Sequence, residues 1–143
     1  MKLSTKGRYS VRALMALATI ANHQHKPVSL KQISVHEGIS VSYLEQLFVH
    51  LRRAGLVQSV RGPGGGYLLA RSLNDISVAE IMSVVQESVQ PVNCADCTMQ
   101  QPGCNLKKDS TECMTRPVWE KLEQVIGDFL SSVTLQDIIA GQV

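Results

Sequence analysis

A mainly α-helical fold carrying one β-hairpin is what this sequence predicts. Three observations lead there. Apolar residues recur at helical spacing along most of the 143-residue chain. A single stretch, Leu56–Leu69, breaks into two short β-rich runs around a glycine cluster. Apolar residues make up 44% of the chain and aromatics only 4%, so the core must be Leu, Val, Ile, Met and Ala, as in helical proteins.

The first helix runs from Gly7 to about Ala21. Tyr9, Val11, Leu14, Met15, Leu17, Ala18 and Ile20 mark its buried face. Asn22–Pro27 is polar and ends in proline, which predicts a loop. The segment SLKQISVHEG opens at Ser29 with Gln32 three residues on, a capping box, and closes at Gly38. A third helix follows at once. Ser40 or Ser42 can cap it, Leu44, Leu47, Phe48 and Leu51 form its apolar stripe, and Gly55 stops it. Arg52 and Arg53 sit in its last turn and complement the helix dipole.

Two short helices joined by Gly38-Ile39-Ser40 form a helix-turn-helix arrangement. Spacing alone does not separate this from any three-helix bundle. The next segment does. Leu56–Val60 and Tyr67–Leu69 flank Arg61-Gly62-Pro63-Gly64-Gly65-Gly66, a hairpin with a glycine-rich tip. A helix-turn-helix followed by a hairpin is a winged helix. The glycines do not form a nucleotide loop: GxxxxGK[ST] is absent, and no G-x-G-x-x-G leads from a strand into a helix. They suit close approach to DNA, with Arg61 entering the narrow minor groove.

Ser77 and Glu80 make a second possible capping box, and Ile76, Val78, Ile81, Val84 and Val85 predict a short helix from about 77 to 88. A long amphipathic helix starts near Arg116 and carries Val118, Trp119, Leu122, Val125, Ile126, Phe129, Leu130 and Val133. Thr134 can cap a last helix, Leu135–Ala140. The wide apolar face of the long helix reads as a dimer interface, as in DNA-binding proteins that span two half-sites. The alternative is that it packs back on its own domain. The expected organisation is a winged helix-turn-helix DNA-binding region over 1–75, then a cysteine loop and dimerisation helices over 76–143.

Charge agrees with this division. Residues 1–75 hold ten Lys/Arg against three Asp/Glu, and residues 76–143 hold four against nine. The basic half is the one expected to meet a polyanion. The opening MKLSTKGRYS has no apolar signal region, and no apolar run approaches the roughly 18 residues of a membrane span. The expected location is the cytoplasm. There, four cysteines within twenty residues (Cys94, Cys97, Cys104 and Cys113) point to metal or redox chemistry before structural disulfides. Zinc is one alternative, although its sites usually pair two C-x2-C knuckles and only Cys94 and Cys97 form one. A Cys94–Cys97 disulfide is another. No βαβ pattern supports a thiol oxidoreductase, and no Ser/His/Asp set or carboxylate pair stands out, so no enzyme is expected.

The stretches MKLSTKGRYSVRAL and ISVSYLEQLFVHLRRAGLVQSVRGPGGGYLLAR, with the cysteine cluster after them, closely resemble the Rrf family of bacterial winged-helix transcription regulators. The nearest likeness is to its iron–sulfur cluster regulators, and it covers residues 1 to about 140. The resemblance implies a homodimeric transcription factor that binds a double-stranded DNA operator. It implies an iron–sulfur cluster near the dimerisation helix, supplied by the cluster-assembly machinery. Cluster state would tune operator choice, with repression of cluster-assembly genes including its own operon. Sensing of oxygen or nitric oxide for other genes is the variant on that theme.

In the family the second helix of the motif enters the major groove; here that is roughly Ser40 to Arg53. Ser40, Ser42 and Tyr43 match positions that contact phosphate or base edges. Glu45 and Gln46 match base-reading positions, where glutamine can pair with adenine and glutamate can accept from cytosine N4. A Glu45 facing no donor repels, and it matches a gate that the cluster-loaded form repositions. Arg61 matches the wing arginine. Lys6, Arg8, Arg12, Arg52 and Arg53 are expected as phosphate contacts or solvated charges.

The family's cluster ligands are three cysteines and a histidine. Cys94, Cys104 and Cys113 fit the three, but Arg116 stands where the histidine belongs, three residues after Cys113. Arginine stays protonated and ligates no metal. Cys97, extra to the pattern, is the expected fourth ligand, and it can also exchange places with Cys94. A side chain from elsewhere, or from a partner subunit, is the rival. Four thiolates hold [2Fe–2S] or [4Fe–4S]; the likeness favours [2Fe–2S].

Overall fold

The computed structural model describes residues 3–21, 25–91 and 114–143. The four cysteines lie outside them. Helix α1 (Thr5–Ala21) buries Ala13, Leu14, Ala16 and Leu17. Its start is held from a distance: the Glu87 carboxylate accepts from the Ser4 N–H at 2.6 Å and from the Ser4 hydroxyl. The Ser4 hydroxyl and N–H outweigh partial burial and hold the Glu87 carboxyl below the usual range.

Helix α2 (Leu30–Glu37) begins with the predicted capping box. The Gln32 N–H donates to Ser29 Oγ at 3.2 Å, and the Ser29 N–H donates to Gln32 Oε1 at 2.9 Å. It ends at Gly38 in the left-handed region, φ 67°. Helix α3 (Val41–Arg53) is capped by Ser40, not Ser42: Ser40 Oγ accepts from the Tyr43 N–H at 3.2 Å. Leu44, Leu47, Phe48 and Leu51 form its buried stripe as the spacing predicts.

Strands β1 (Val57–Val60) and β2 (Gly66–Leu69) pair antiparallel from Val57↔Leu69 to Val60↔Gly66. A third partner was not legible in the sequence. Val28, in the loop before α2, exchanges hydrogen bonds with Tyr67, N to O 2.9 Å one way and 2.8 Å the other. This one-residue edge seats the wing against the helix-turn-helix. Gly66 makes the approach possible. A Cβ there would lie 2.3 Å from the Val28 carbonyl oxygen, and the backbone holds φ +154°. Gly66→Ala is therefore expected to cost about 2 kcal/mol in backbone strain and lost pairing. Thermal melts of the two proteins check this; an unchanged midpoint would count against the wing's seating on Val28.

After a 3-10 turn at Leu73–Asp75, α4 (Val78–Val84) is shorter than the predicted 77–88 helix. Gln86 at φ 57° turns the chain out of it. Only half of the second capping box forms: Ser77 Oγ accepts from the Glu80 N–H at 3.2 Å, while the Glu80 carboxylate pairs with Arg71 at 2.5 Å. Helix α5 (Arg116–Ser132) precedes α6 (Leu135–Ala140), whose Thr134–Asp137 capping box is complete.

One main core joins α1, α2, α3 and the hairpin with Ile76, Ile81, Val85 and Leu135. The end of α5 is stitched to the start of α4 by Val78 N to Val133 O, 2.9 Å, and Leu135 N to Ile76 O, 3.0 Å. Helix α5 itself has no buried residue. Val118, Leu122, Val125 and Phe129 are 59%, 40%, 52% and 54% exposed, forming one apolar stripe. No helix among the described residues is long and apolar enough to cross a membrane.

Candidate functional site

The residues expected to touch DNA come from two elements. On α3, Ser42, Glu45 and Gln46 are exposed and lie opposite the stripe that enters the core. Positions three and four apart on a helix are neighbours, so these three share one outward face. Ser40 is exposed at the helix start, and Tyr43 is half-buried. Arg61 is exposed at the start of the wing tip.

Aromatic contacts hold these elements in place. Phe48, from the inner face of α3, meets Tyr67 of β2 edge-on, ring centroids 4.7 Å apart. This fixes α3 against the wing. Tyr43 meets Tyr9 of α1 edge-on at 5.8 Å, with ring planes at 87°. Such pairs contribute about 0.5–1.5 kcal/mol beyond their buried area.

One of the basic residues expected as phosphate contacts or solvated charges has a partner within the protein. Arg12 is paired there, although its side chain stays 49% exposed. Its Nε donates to Glu37 Oε2 and its Nη2 to the Glu37 backbone carbonyl, both at 2.8 Å. Its guanidinium also lies 5.4 Å from the centre of the Tyr9 ring. Glu37 in turn pairs with His36 Nδ1 at 2.8 Å. Burial alone would raise the Glu37 carboxyl, but hydrogen bonds from His36 and Arg12 outweigh it and hold the group below its ordinary value. Sequence reasoning passed over Glu37 and placed Tyr9 only on the buried face of the first helix. Glu37 left a faint signal: a carboxylate in the last turn of a helix opposes the dipole and calls for a cation nearby. Lys6, Arg8, Arg52 and Arg53 remain available for phosphate.

The proposed metal ligands Cys94, Cys97, Cys104 and Cys113 fall outside the described residues. Among the described residues no three His, Cys, Asp or Glu side chains gather to hold a metal ion. Arg116, at the expected histidine position, opens α5 and pairs with Glu120 at 2.6 Å.

A helix-turn-helix with a seated wing and a polar outer face on its second helix is a DNA-reading arrangement. Residues 3–141 match the profile of Rrf2, described as an iron-dependent transcriptional regulator. The chain belongs to the Rrf2 family. Its relatives agree. It is 45% identical over 139 residues to the helix-turn-helix transcriptional regulator IscR of Pectobacterium carotovorum, covering 97% of this chain and 79% of that one. It is 49% identical over 140 residues to a putative regulator, ORF2, of Azotobacter vinelandii, covering 98% and 80%. Among solved structures, T. potens IscR superposes with a TM-score of 0.75 at 40% identity, covering 100% of this chain and 89% of that one. CymR, the global cysteine regulator of B. subtilis, gives 0.77 at 34% identity, covering 98% and 97%. This Rrf2 protein is thus a DNA-binding transcriptional regulator of the IscR type, and not an enzyme.

Proposed function

We propose that this Rrf2 protein is a cytoplasmic homodimer whose operator binding is set by an iron–sulfur cluster held by Cys94, Cys97, Cys104 and Cys113. The observation that carries the DNA-reading part is the outward face of Ser42, Glu45 and Gln46 beside an arginine-bearing wing. Residues 1–75 then read DNA, and residues 76–143 hold the cluster and dimerise. Gln46 and Glu45 meet base edges, Ser40, Ser42 and Tyr43 meet phosphate or base edges, and Arg61 enters the minor groove. The two-fold pair of recognition helices spans two half-sites.

The donor set fits the cluster. Four thiolates satisfy the four-cysteine requirement of [2Fe–2S] and [4Fe–4S] centres, and the kinship with IscR favours [2Fe–2S]. Arg116 cannot substitute for an imidazole, and its guanidinium engages Glu120. When bound, the cluster supplies a redox-active and oxygen-labile group whose presence reports cluster supply. The assembly machinery is its donor, and cluster-assembly genes, including the protein's own operon, are the repressed targets. A second reading is favoured by the solved Staphylococcus aureus CymR, a neighbour at 32% identity described in an oxidized form. In that reading the cysteines of this chain form a thiol–disulfide pair, with zinc as the other alternative.

The test is purification without oxygen, followed by a visible spectrum with iron and acid-labile sulfide assays, for wild type and Cys97→Ala. A brown wild type whose cluster is lost or altered in the variant is the expected result. A colourless wild type holding zinc or no metal removes the cluster and keeps the DNA-binding regulator. A fourth thiolate in place of neutral imidazole adds one negative charge, which disfavours reduction. The potential is therefore expected below that of a histidine-ligated relative. A redox titration that finds it equal or higher would contradict the four-thiolate set.

A further inference from the structure

We infer that Arg12 is a positioning residue for the recognition helix, acting through the turn of the helix-turn-helix rather than on DNA phosphate. The inference rests on the reading that α3 faces the bases. It starts from where the guanidinium goes. Glu37 is the last residue of α2, and its carbonyl is among those a helix end leaves without an intrahelical partner. Arg12, from α1, donates to that carbonyl and to the Glu37 carboxylate at 2.8 Å each. Arginine's planar fork suits two acceptors at once, and lysine's point charge does not.

The same guanidinium lies over a neighbour on its own helix, Tyr9. It sits 5.4 Å from the Tyr9 ring centre, and Tyr9 packs edge-on against Tyr43 in the first turn of α3. Between the two ends lie Gly38, left-handed at φ 67°, buried Ile39, and the cap Ser40. Two adjoining side chains of α1, Arg12 and Tyr9, therefore tie the exit of α2 to the entry of α3. The residues on that entry turn are Ser40, Ser42 and Tyr43, whose contacts set the register of Glu45 and Gln46 on the bases. A shift of the turn moves all of them together.

Two charge arguments separate this role from a phosphate contact. A phosphate-bound arginine contributes about 0.9 to the slope of log K against log salt, and its loss weakens binding to every sequence alike. A positioning arginine leaves that slope alone and weakens only specific binding. Glu37 gives a sharper sign. Removing a carboxylate near DNA would tighten binding if long-range charge were all that mattered. If the Arg12–Glu37 tie positions the turn, removing it weakens specific binding instead.

The experiment uses the cluster-loaded full chain and two duplexes of equal length. One is selected by wild type from a randomised pool, and the other is its scrambled counterpart. Arg12→Gln and Glu37→Gln are each expected to lose about tenfold on the selected duplex, with the scrambled duplex and the salt slope unchanged. The double variant is expected to lose no more than either single one, because the two share one interaction. Arg12→Lys keeps the charge without the fork, so it carries the test if the glutamine variant fails to fold. It is expected to weaken the selected duplex at wild-type slope. A slope lowered by about 0.9 with equal loss on both duplexes overturns the inference, as does tighter binding by Glu37→Gln. Gln46→Ala is the separate check on the underlying reading. Wild-type binding by that variant would show that α3 does not read bases, whatever Arg12 does.

Discussion

Phe129→Asp is expected to turn the proposed dimer into a monomer. Phe129 is 54% exposed on a helix that buries none of its residues, so the change does not open the core. Val118, Leu122, Val125 and Phe129 follow one another at steps of four, three and four, the spacing of a helix seam that packs on a like helix. The stripe is about 16 Å long at 1.5 Å per residue. Covering one phenylalanine contributes roughly 2 kcal/mol, and a buried unpaired carboxylate costs several more. Two-fold symmetry imposes both effects twice. The dimer is therefore expected to weaken by about a thousandfold or more, and operator binding by about a hundredfold or more as the two half-sites lose their linkage. Sedimentation velocity reads the first and fluorescence anisotropy on an operator duplex the second. Ser131→Asp, on the flank of α5 away from the stripe, is the control and keeps the dimer. A dimeric Phe129→Asp protein would show that α5 is not the interface.

Glu45→Ala is expected to let cluster-free protein bind operators that otherwise require the cluster. The Glu45 carboxylate is exposed on the outward face of α3. In a major groove it loses its water, and an exocyclic amino donor, cytosine N4 above all, is needed to repay that loss. Facing a base edge with no amino donor it is a desolvated charge without a partner, at a cost of about 3 kcal/mol. Removing it should tighten cluster-free binding at such operators about a hundredfold and narrow the gap to the loaded form. At operators that offer cytosine there, binding should weaken instead. Dissociation constants at one fixed salt concentration, on duplexes differing at that base pair, read both signs. Unchanged cluster-free affinity on both would remove Glu45 as a gate.

The local signals in the sequence proved reliable where one residue's chemistry settles one backbone event. Ser29 with Gln32 forms a complete capping box, Thr134 caps α6, and Gly38 closes α2 in the left-handed region. The glycine-rich tip does join two antiparallel strands. Each of these is a contact within a few residues, and the residue type alone selects it. The reading weakened wherever the partner was distant. The Glu80 carboxylate, expected to complete a capping box, goes to Arg71. Helix α4 ends early because Gln86 turns left-handed, with no glycine or proline to announce it. Val28 pairs with Tyr67 across 39 positions, and nothing in the residues around Val28 marks such a partner.

The same division runs through the candidate site. That a polar face stands opposite Leu44, Leu47, Phe48 and Leu51 follows from helical periodicity, and that Arg116 ligates no metal follows from its pKa. Neither needs a fold. Whether Arg12 meets phosphate or Glu37 is different, because it depends on how α1 crosses the turn after α2. So does the fate of the apolar face of α5: its inner residues rest against α4, while Val118, Leu122, Val125 and Phe129 stay uncovered. Periodicity shows that a helix has an apolar face. It carries no information on how much of that face a neighbour covers, because coverage is set by the packing of whole helices against one another.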